Sequence, residues 1–231
     1  MLNKLKKDLN KLKNKEKAKI LAGFFKTGKG EYGEGDIFLG IIVPEQLKIA
    51  KKYFDLNLNG LNKLIFSKIH EYRLVSLLIL INKYNKVDNK EKKKIFSFYL
   101  KNIKYINNWD LVDLSAPNII GDYLLDKDRK ILYKLAKSKN LWEKRISIIS
   151  TYRFIKENDF NDTLKISEIL LNDEHDLIHK AVGWMLREVG KKDQAIEEKF
   201  LRKYHKVMPR TMLRYAIEKF DENKRKFYLG K

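Results

Sequence analysis

Apolar residues recur at helical spacing along almost the whole chain outside residues 27–43. Leu61, Leu64, Ile65 and Ile69 define one such face, Ile95, Phe96, Tyr99, Leu100 and Ile103 another, and Ile146, Ile149, Tyr152 and Phe154 a third. Short polar clusters separate the segments. Asn57 to Asn59, Asp88-Asn89, Asn107-Asn108, Asp126 to Asp128 and Asn172-Asp173 carry the side chains that cap one helix and begin the next. Pro44 and Pro209 sit where a helix can start, because the missing N–H has no partner there anyway. The pattern predicts about a dozen helices in antiparallel pairs of about 35–45 residues. That is an all-α, HEAT-like helical-repeat solenoid, taken as a single domain over residues 1–231 with a glycine-rich loop at 27–36. No repeated signature aligns between the pairs, so a compact helical bundle is the structural alternative. Residues 37–43 form the β-rich run and allow one short strand pair.

Composition narrows the function. With 44% hydrophobic residues in 231, the chain can bury a sizeable core. It has no cysteine, which excludes a disulfide scaffold, an iron–sulfur protein, a Cys-ligated zinc finger and a thiol enzyme. The apolar windows at 38–44 and 74–81 are far shorter than the roughly 18–20 residues of a membrane span, and no signal-peptide pattern is present. A cytoplasmic, monomeric protein that does not enter membranes is expected. The formal charge of +20 points at a polyanion. Residues 1–19 hold eight lysines against two acids, and residues 199–231 hold eleven Lys and Arg against three, so most of the excess lies at the two ends of the expected solenoid. The stripe Leu2, Leu5, Leu9 and Leu12 reads as a terminal helix docked by its leucines, with a surface-lying membrane helix over residues 2–19 as the rival.

Several constellations could carry chemistry. Residues 28–33 spell Gly-x-Gly-x-x-Gly, but no strand precedes them and no helix opens behind them, so a lysine-flanked flexible loop fits better than a dinucleotide site. His175 and His179 are four apart around Asp176. Zinc needs a third ligand, His70 and His205 are the remaining histidines, and the acids near Asp173 fit the first turn of a helix, so no metal is expected. In the run from Asn107 to Pro117, Trp109 and Asp113 share a helix face; a core tryptophan and a salt-bridged acid are the plain alternative. Trp142 with Lys144 and Arg145, and Trp184 with Arg187, pair tryptophan with basic residues on predicted helices, a phosphate-and-sugar pattern that, taken singly, is also that of an ordinary helix with one snorkelling arginine. Gly183 should permit the close approach of a neighbouring helix or a ligand.

The runs Phe38-Leu39-Gly40-Ile41-Ile42-Val43-Pro44, Asn108-Trp109-Asp110-Leu111-Val112-Asp113, Leu141-Trp142-Glu143-Lys144-Arg145 and Ala181-Val182-Gly183-Trp184-Met185-Leu186-Arg187-Glu188 resemble, in that order, the AlkD-like family of bacterial DNA alkylation repair glycosylases, over roughly residues 15–220. The resemblance implies a solenoid whose basic concave face binds duplex DNA. It also implies hydrolytic release of 3-methyladenine and 7-methylguanine with neither metal nor cofactor, and without turning the base out of the duplex. Asp113 resembles the family's catalytic carboxylate, Trp109 and Trp184 its lesion-contacting tryptophans and Arg145 its active-site arginine; Lys144 and Arg187 are expected on DNA beside them. The chain departs from the best-known type in a longer glycine-rich segment and in Phe24, which stands where that type has a hydroxylated aromatic. No intercalating wedge or base pocket is evident in the residues. The alternative is a non-catalytic HEAT-like module that holds DNA, branched or damaged, through its phosphates.

Overall fold

The computed structural model describes residues 1–230 and resolves them into two compact units, divided between Ser115 and Ala116. Both are built from helices, and the β-rich run contributes a single parallel bridge, Ile37 to Ile69, in place of a strand pair.

The first unit holds α1 (Leu2–Lys11), α2 (Lys15–Phe24), α3 (Val43–Lys52), α4 (Leu58–Ile65), α5 (His70–Tyr84), α6 (Asn89–Lys101) and α7 (Trp109–Ala116), whose last residue lies past the division. The N-terminal stripe is docked: Leu5 and Leu9 are fully buried. It is also shorter than residues 2–19, because the chain breaks after Leu12 and Asn14 accepts a hydrogen bond from Lys17 N–H to start α2. Helix α5 is buried along an unbroken run from His70 to Leu80, polar residues included, and α3 and α4 pack against it. A helix wrapped on all sides loses the polar face that periodicity relies on. Asn57 and Asp88 cap α4 and α6 as their clusters predict, and Pro44 takes the second position of α3.

Between α2 and α3 the glycine-rich segment is a run of turns. Glu31 and Glu34 accept from the N–H groups of Gly28 and Gly30, and Ile37 exchanges backbone hydrogen bonds of 2.9 Å with Lys68 and His70 on either side of the bridge. Gly40 has φ +83°, and a Cβ there would collide with the Asn14 carbonyl oxygen, so glycine is required at this crossing.

The second unit begins with a π-helical turn, Pro117–Gly121, and continues through α8 (Lys130–Ala136), α9 (Leu141–Ser150), α10 (Tyr152–Lys156), α11 (Asn161–Ile169), α12 (Asp176–Lys192), α13 (Gln194–Tyr204), α14 (Arg210–Ala216) and α15 (Glu222–Leu229). Helix α12 is its centre, contacting α9, α13 and α14. Gly183 permits the approach of α14, since a Cβ would overlap the Met212 carbonyl oxygen. Helix α12 begins at Asp176, later than the expected start near Asp173, because His175 serves as its cap. No helix among the described residues is long and apolar enough to cross a membrane.

Candidate functional site

The first turn of α7 is held by its own sequence. Asn108 Oδ1 accepts from Trp109 N–H and Asp110 Oδ1 from Leu111 N–H, both at 2.8 Å. The far end is pinned where the Tyr99 and Ser115 hydroxyls meet at 2.9 Å, both residues fully buried. Asp110 is not exposed, as a first-turn capping acid usually is. Its Oδ2 lies 2.7 Å from His70 Nε2 at the start of α5, while His70 Nδ1 faces Asp36 Oδ2 at 3.3 Å. Asp36 also receives Arg73 Nη2 at 2.5 Å, and Arg73 Nη1 donates to the Ser67 carbonyl. Burial alone would pull the His70 pKa down, but the Asp110 charge and hydrogen bond, aided by Asp36, carry it above its ordinary value. Burial likewise opposes ionisation of Asp36, yet His70 and Arg73 hold its carboxyl below the usual range. His70, between two carboxylates that favour its charged form, thus ties the glycine-rich segment, α5 and α7 together.

The neighbouring Glu71 does the same for the apolar run. Its carboxylate, 1% exposed, accepts from the N–H groups of Leu39, Gly40 and Ile41 at 2.8–3.2 Å. Those amides point into the protein with no strand partner, and the carboxylate satisfies them. The Ile41 carbonyl is in turn taken by Gln46 Nε2 at 2.7 Å.

These supports frame a cavity of about 470 Å³ inside the first unit. Phe24, Phe25, Phe38 and Trp109 supply aromatic walls, and Asp110 and Asp113 supply carboxylates. Phe25 is stacked between Trp109 (5.0 Å, 15°) and Phe38 (5.0 Å, 18°). Phe24, 61% exposed, stands edge-on to Trp109 at 5.7 Å. Trp109 and Asp113 therefore line one cavity, as their four-residue spacing on α7 allows. The recess is apolar and aromatic, with His70 on its wall beside Asp110, so Asp113 is a carboxylate there that His70 does not take.

No pocket is evident in the sequence, and the structure has this cavity. Sequence reasoning missed it because its parts lie on α2, the apolar run, α5 and α7, which no local pattern connects. It also passed over His70, Glu71 and Gln46. Two signals were present: the Phe24-Phe25 pair just before the glycines, and His70-Glu71 opening an otherwise apolar helix.

The second unit carries the remaining expected residues. Arg145 is 5% exposed and donates Nη1 to the Leu177 carbonyl at 2.5 Å. Lys144 is ion-paired with Asp173 and Arg187 with Glu218. Trp184 is half-buried; its Nε1 donates to Glu188 Oε1 at 3.1 Å and its ring lies 6.1 Å from Tyr152. His175 Nδ1 accepts from Leu177 N–H at the start of α12, and His179 Nε2 hydrogen-bonds to the Asp173 carbonyl. Both histidines thus have structural employment, and burial lowers the pKa of His175.

Comparison with known proteins agrees with the fold and with the family resemblance. A predicted DNA alkylation repair enzyme from Enterococcus faecalis superposes with a TM-score of 0.70 at 18% identity, covering 91% of this chain and 97% of the other. The fold is accordingly the all-α helical-repeat fold of that protein. A MATH and LRR domain-containing protein of Plasmodium falciparum is 29% identical over 128 residues, which is 53% of this chain and 1% of that protein's length. The family model described as "DNA alkylation repair enzyme" matches residues 5–220, and with nearly the whole length matched, this chain belongs to the DNA alkylation repair enzyme family.

Proposed function

We propose that the protein is a DNA glycosylase that hydrolyses the N-glycosidic bond of cationic alkylated purines, 3-methyladenine and 7-methylguanine, in duplex DNA. The observation that carries this reading is the cavity on the first unit, where Asp113 and Trp109 of α7 stand together among aromatic rings. Methylation at N3 or N7 gives the purine a formal positive charge, so the base leaves without a strong general acid. As the C1′–N bond stretches, its electron pair goes to the base and positive charge builds on the deoxyribose. Asp113 stabilises that charge, the sign-reversed counterpart of an oxyanion hole, and orients the attacking water. The water oxygen forms the new bond to C1′ and its proton passes to solvent. Trp109 favours the cationic sugar and base through its ring, a role that the family resemblance also gives to Trp184. Lys144 and Arg187 hold backbone phosphates on exchanging their Asp173 and Glu218 partners for them, whereas Arg145, buried and bonded to the Leu177 carbonyl, acts by positioning the start of α12; the net charge of +20 supplies long-range attraction. No step calls on a metal or cofactor.

The test is release of free base from methylated duplex DNA, wild type beside Asp113→Asn. Wild type should release 7-methylguanine. The variant should release none while keeping DNA affinity within a few-fold. Release undiminished in the variant refutes the role of Asp113. DNA binding by the wild type with no release at all selects the phosphate-only binding module instead.

A further inference from the structure

The second unit has a recess of its own, formed by the end of α13, the turn after it, α14 and α15, with a volume of about 780 Å³. That lies within the range of roughly 300–1,000 Å³ that holds a small ligand. Arg202, Lys206 and Arg210 are the charged residues on its wall, and no acid lines it among the described residues. The Lys206 ammonium has no ion-pair or hydrogen-bond partner among the described residues. The Arg202 side chain is 70% exposed and reaches Glu198 at 3.6 Å, while Glu198 is already held by Lys224 and Gln194. Arg210 donates Nη2 to the Leu229 carbonyl at 2.8 Å, which aims its guanidinium and leaves the other N–H groups of the fork for a ligand. The recess therefore carries positive charge that its own walls do not neutralise. Its floor is apolar, since Met208, Leu213 and Tyr228 are buried. Phe227 lines it at 68% exposure, the most exposed aromatic ring among the described residues. Tyr228 stands edge-on to that ring at 5.2 Å, and His205, whose Nδ1 donates to the Leu201 carbonyl at 2.8 Å, lies 6.3 Å from it. A bare anion would use the cations and leave the ring in water. An apolar ligand would do the reverse. A ligand with a flat face and a phosphate satisfies both.

We propose that this recess binds a nucleoside phosphate, its base stacked on Phe227 and its phosphate held by Lys206, Arg202 and Arg210. Phe227 lies on α15, beyond the residues 5–220 that the family model matches, so the site is an addition to what that match carries and does not depend on Asp113. A nucleoside phosphate arrives either free in solution or as an unpaired nucleotide of a DNA strand. A paired nucleotide is excluded, because its neighbours in the stack already cover both faces of its base. An anionic membrane surface is the rival for an exposed phenylalanine among cations. The concave placement of Phe227, on the wall of a recess with a buried apolar floor, favours a ligand that enters over a surface that is lain upon.

Isothermal titration calorimetry of the full chain compares dAMP with 2-deoxyribose 5-phosphate, which has the sugar and the phosphate but no base. Wild type should bind dAMP about tenfold more tightly, the effect of one base stacked on an aromatic ring. Phe227→Ala should erase that preference, and Lys206→Ala should weaken both ligands several-fold. Both side chains are exposed, so both variants should fold. Fluorescence anisotropy separates the two sources, with a blunt duplex beside the same duplex carrying a short single-stranded tail. Tighter binding of the tailed DNA that Phe227→Ala removes, with blunt affinity unchanged, supports the site as a holder of unpaired strand. A preference for dAMP with no effect of the tail supports it as a site for a free nucleotide. Neither preference in wild type, or one that survives in Phe227→Ala, overturns the proposal. An equal loss of blunt and tailed affinity in that variant also overturns it, by making Phe227 part of a duplex interface. Phe227-dependent binding to phosphatidylglycerol vesicles with neither nucleotide preference overturns it in favour of a membrane surface.

Discussion

Glu197 on α13 is 1% exposed, and its Oε1 has no hydrogen-bond partner. It lies against Gly190 of α12, where a Cβ would collide with its Oε2. Burial, then the neighbouring Glu198 charge, pushes its carboxyl up to about 9, against a weaker opposite pull from Arg187. The folded state therefore holds a proton that the unfolded chain releases near 4.5, the ordinary value of the group. Stability contributed by the protonated form is complete below that value and drains away as pH rises through the folded value. Each pH unit in the window is worth about 1.4 kcal/mol. Between the ordinary value and neutral pH, the protein thus gives up about 3 kcal/mol. Glu197→Gln keeps the shape and the neutral charge without the proton linkage. Urea unfolding of both proteins from about pH 5 to about pH 8.5 should give nearly equal stabilities at the acid end, and a variant more stable by about 3 kcal/mol at pH 7 with a widening gap above it. Parallel pH profiles would refute the reasoning, because they would mean that Glu197 ionises in the folded protein as it does in the unfolded chain.

Two further substitutions test the frame of the cavity. Gly40→Ala forces a side chain into a backbone conformation with φ +83° and against the Asn14 carbonyl; it should cost more than about 3 kcal/mol in thermal or urea unfolding, and a loss under 1 kcal/mol would show that the crossing is loose. His70→Asn removes the cation between Asp110 and Asp36 and should cost about 3–5 kcal/mol. Because the folded His70 pKa is raised, the wild-type advantage should be full below about pH 6.5 and decline as pH rises through the folded value. An advantage that grows with pH would contradict a charged imidazole.

Wherever a local pattern is enough, the primary structure already carries the answer. Helices with one apolar face, such as α4 and α6, follow from periodicity, and their starts follow from Asn57 and Asp88, because a cap is a hydrogen bond between residues two or three apart. The spacing of Trp109 and Asp113 belongs to the same class: four residues on a helix share a face whatever surrounds them. Gly183 announced a close approach, and Met212 of α14 supplies it. Periodicity bounds elements buried on all sides less well, and in the β-rich run at 37–43 the amides of Leu39, Gly40 and Ile41 are satisfied by the Glu71 carboxylate instead of a neighbouring strand.

Tertiary structure alone decided which residues meet. His70 reaches Asp110 across forty positions, and Glu71 reaches Leu39 across thirty-two. Such pairs have no period, and a buried acid reads in sequence like an exposed one until its partners are known. The aromatic cavity arises the same way, from Phe24, Phe38 and Trp109 brought together by three separate segments. Helical character and capping are properties of neighbours along the chain, and these residues declare them. A cavity is a property of what packing leaves unfilled, and only the folded chain has one.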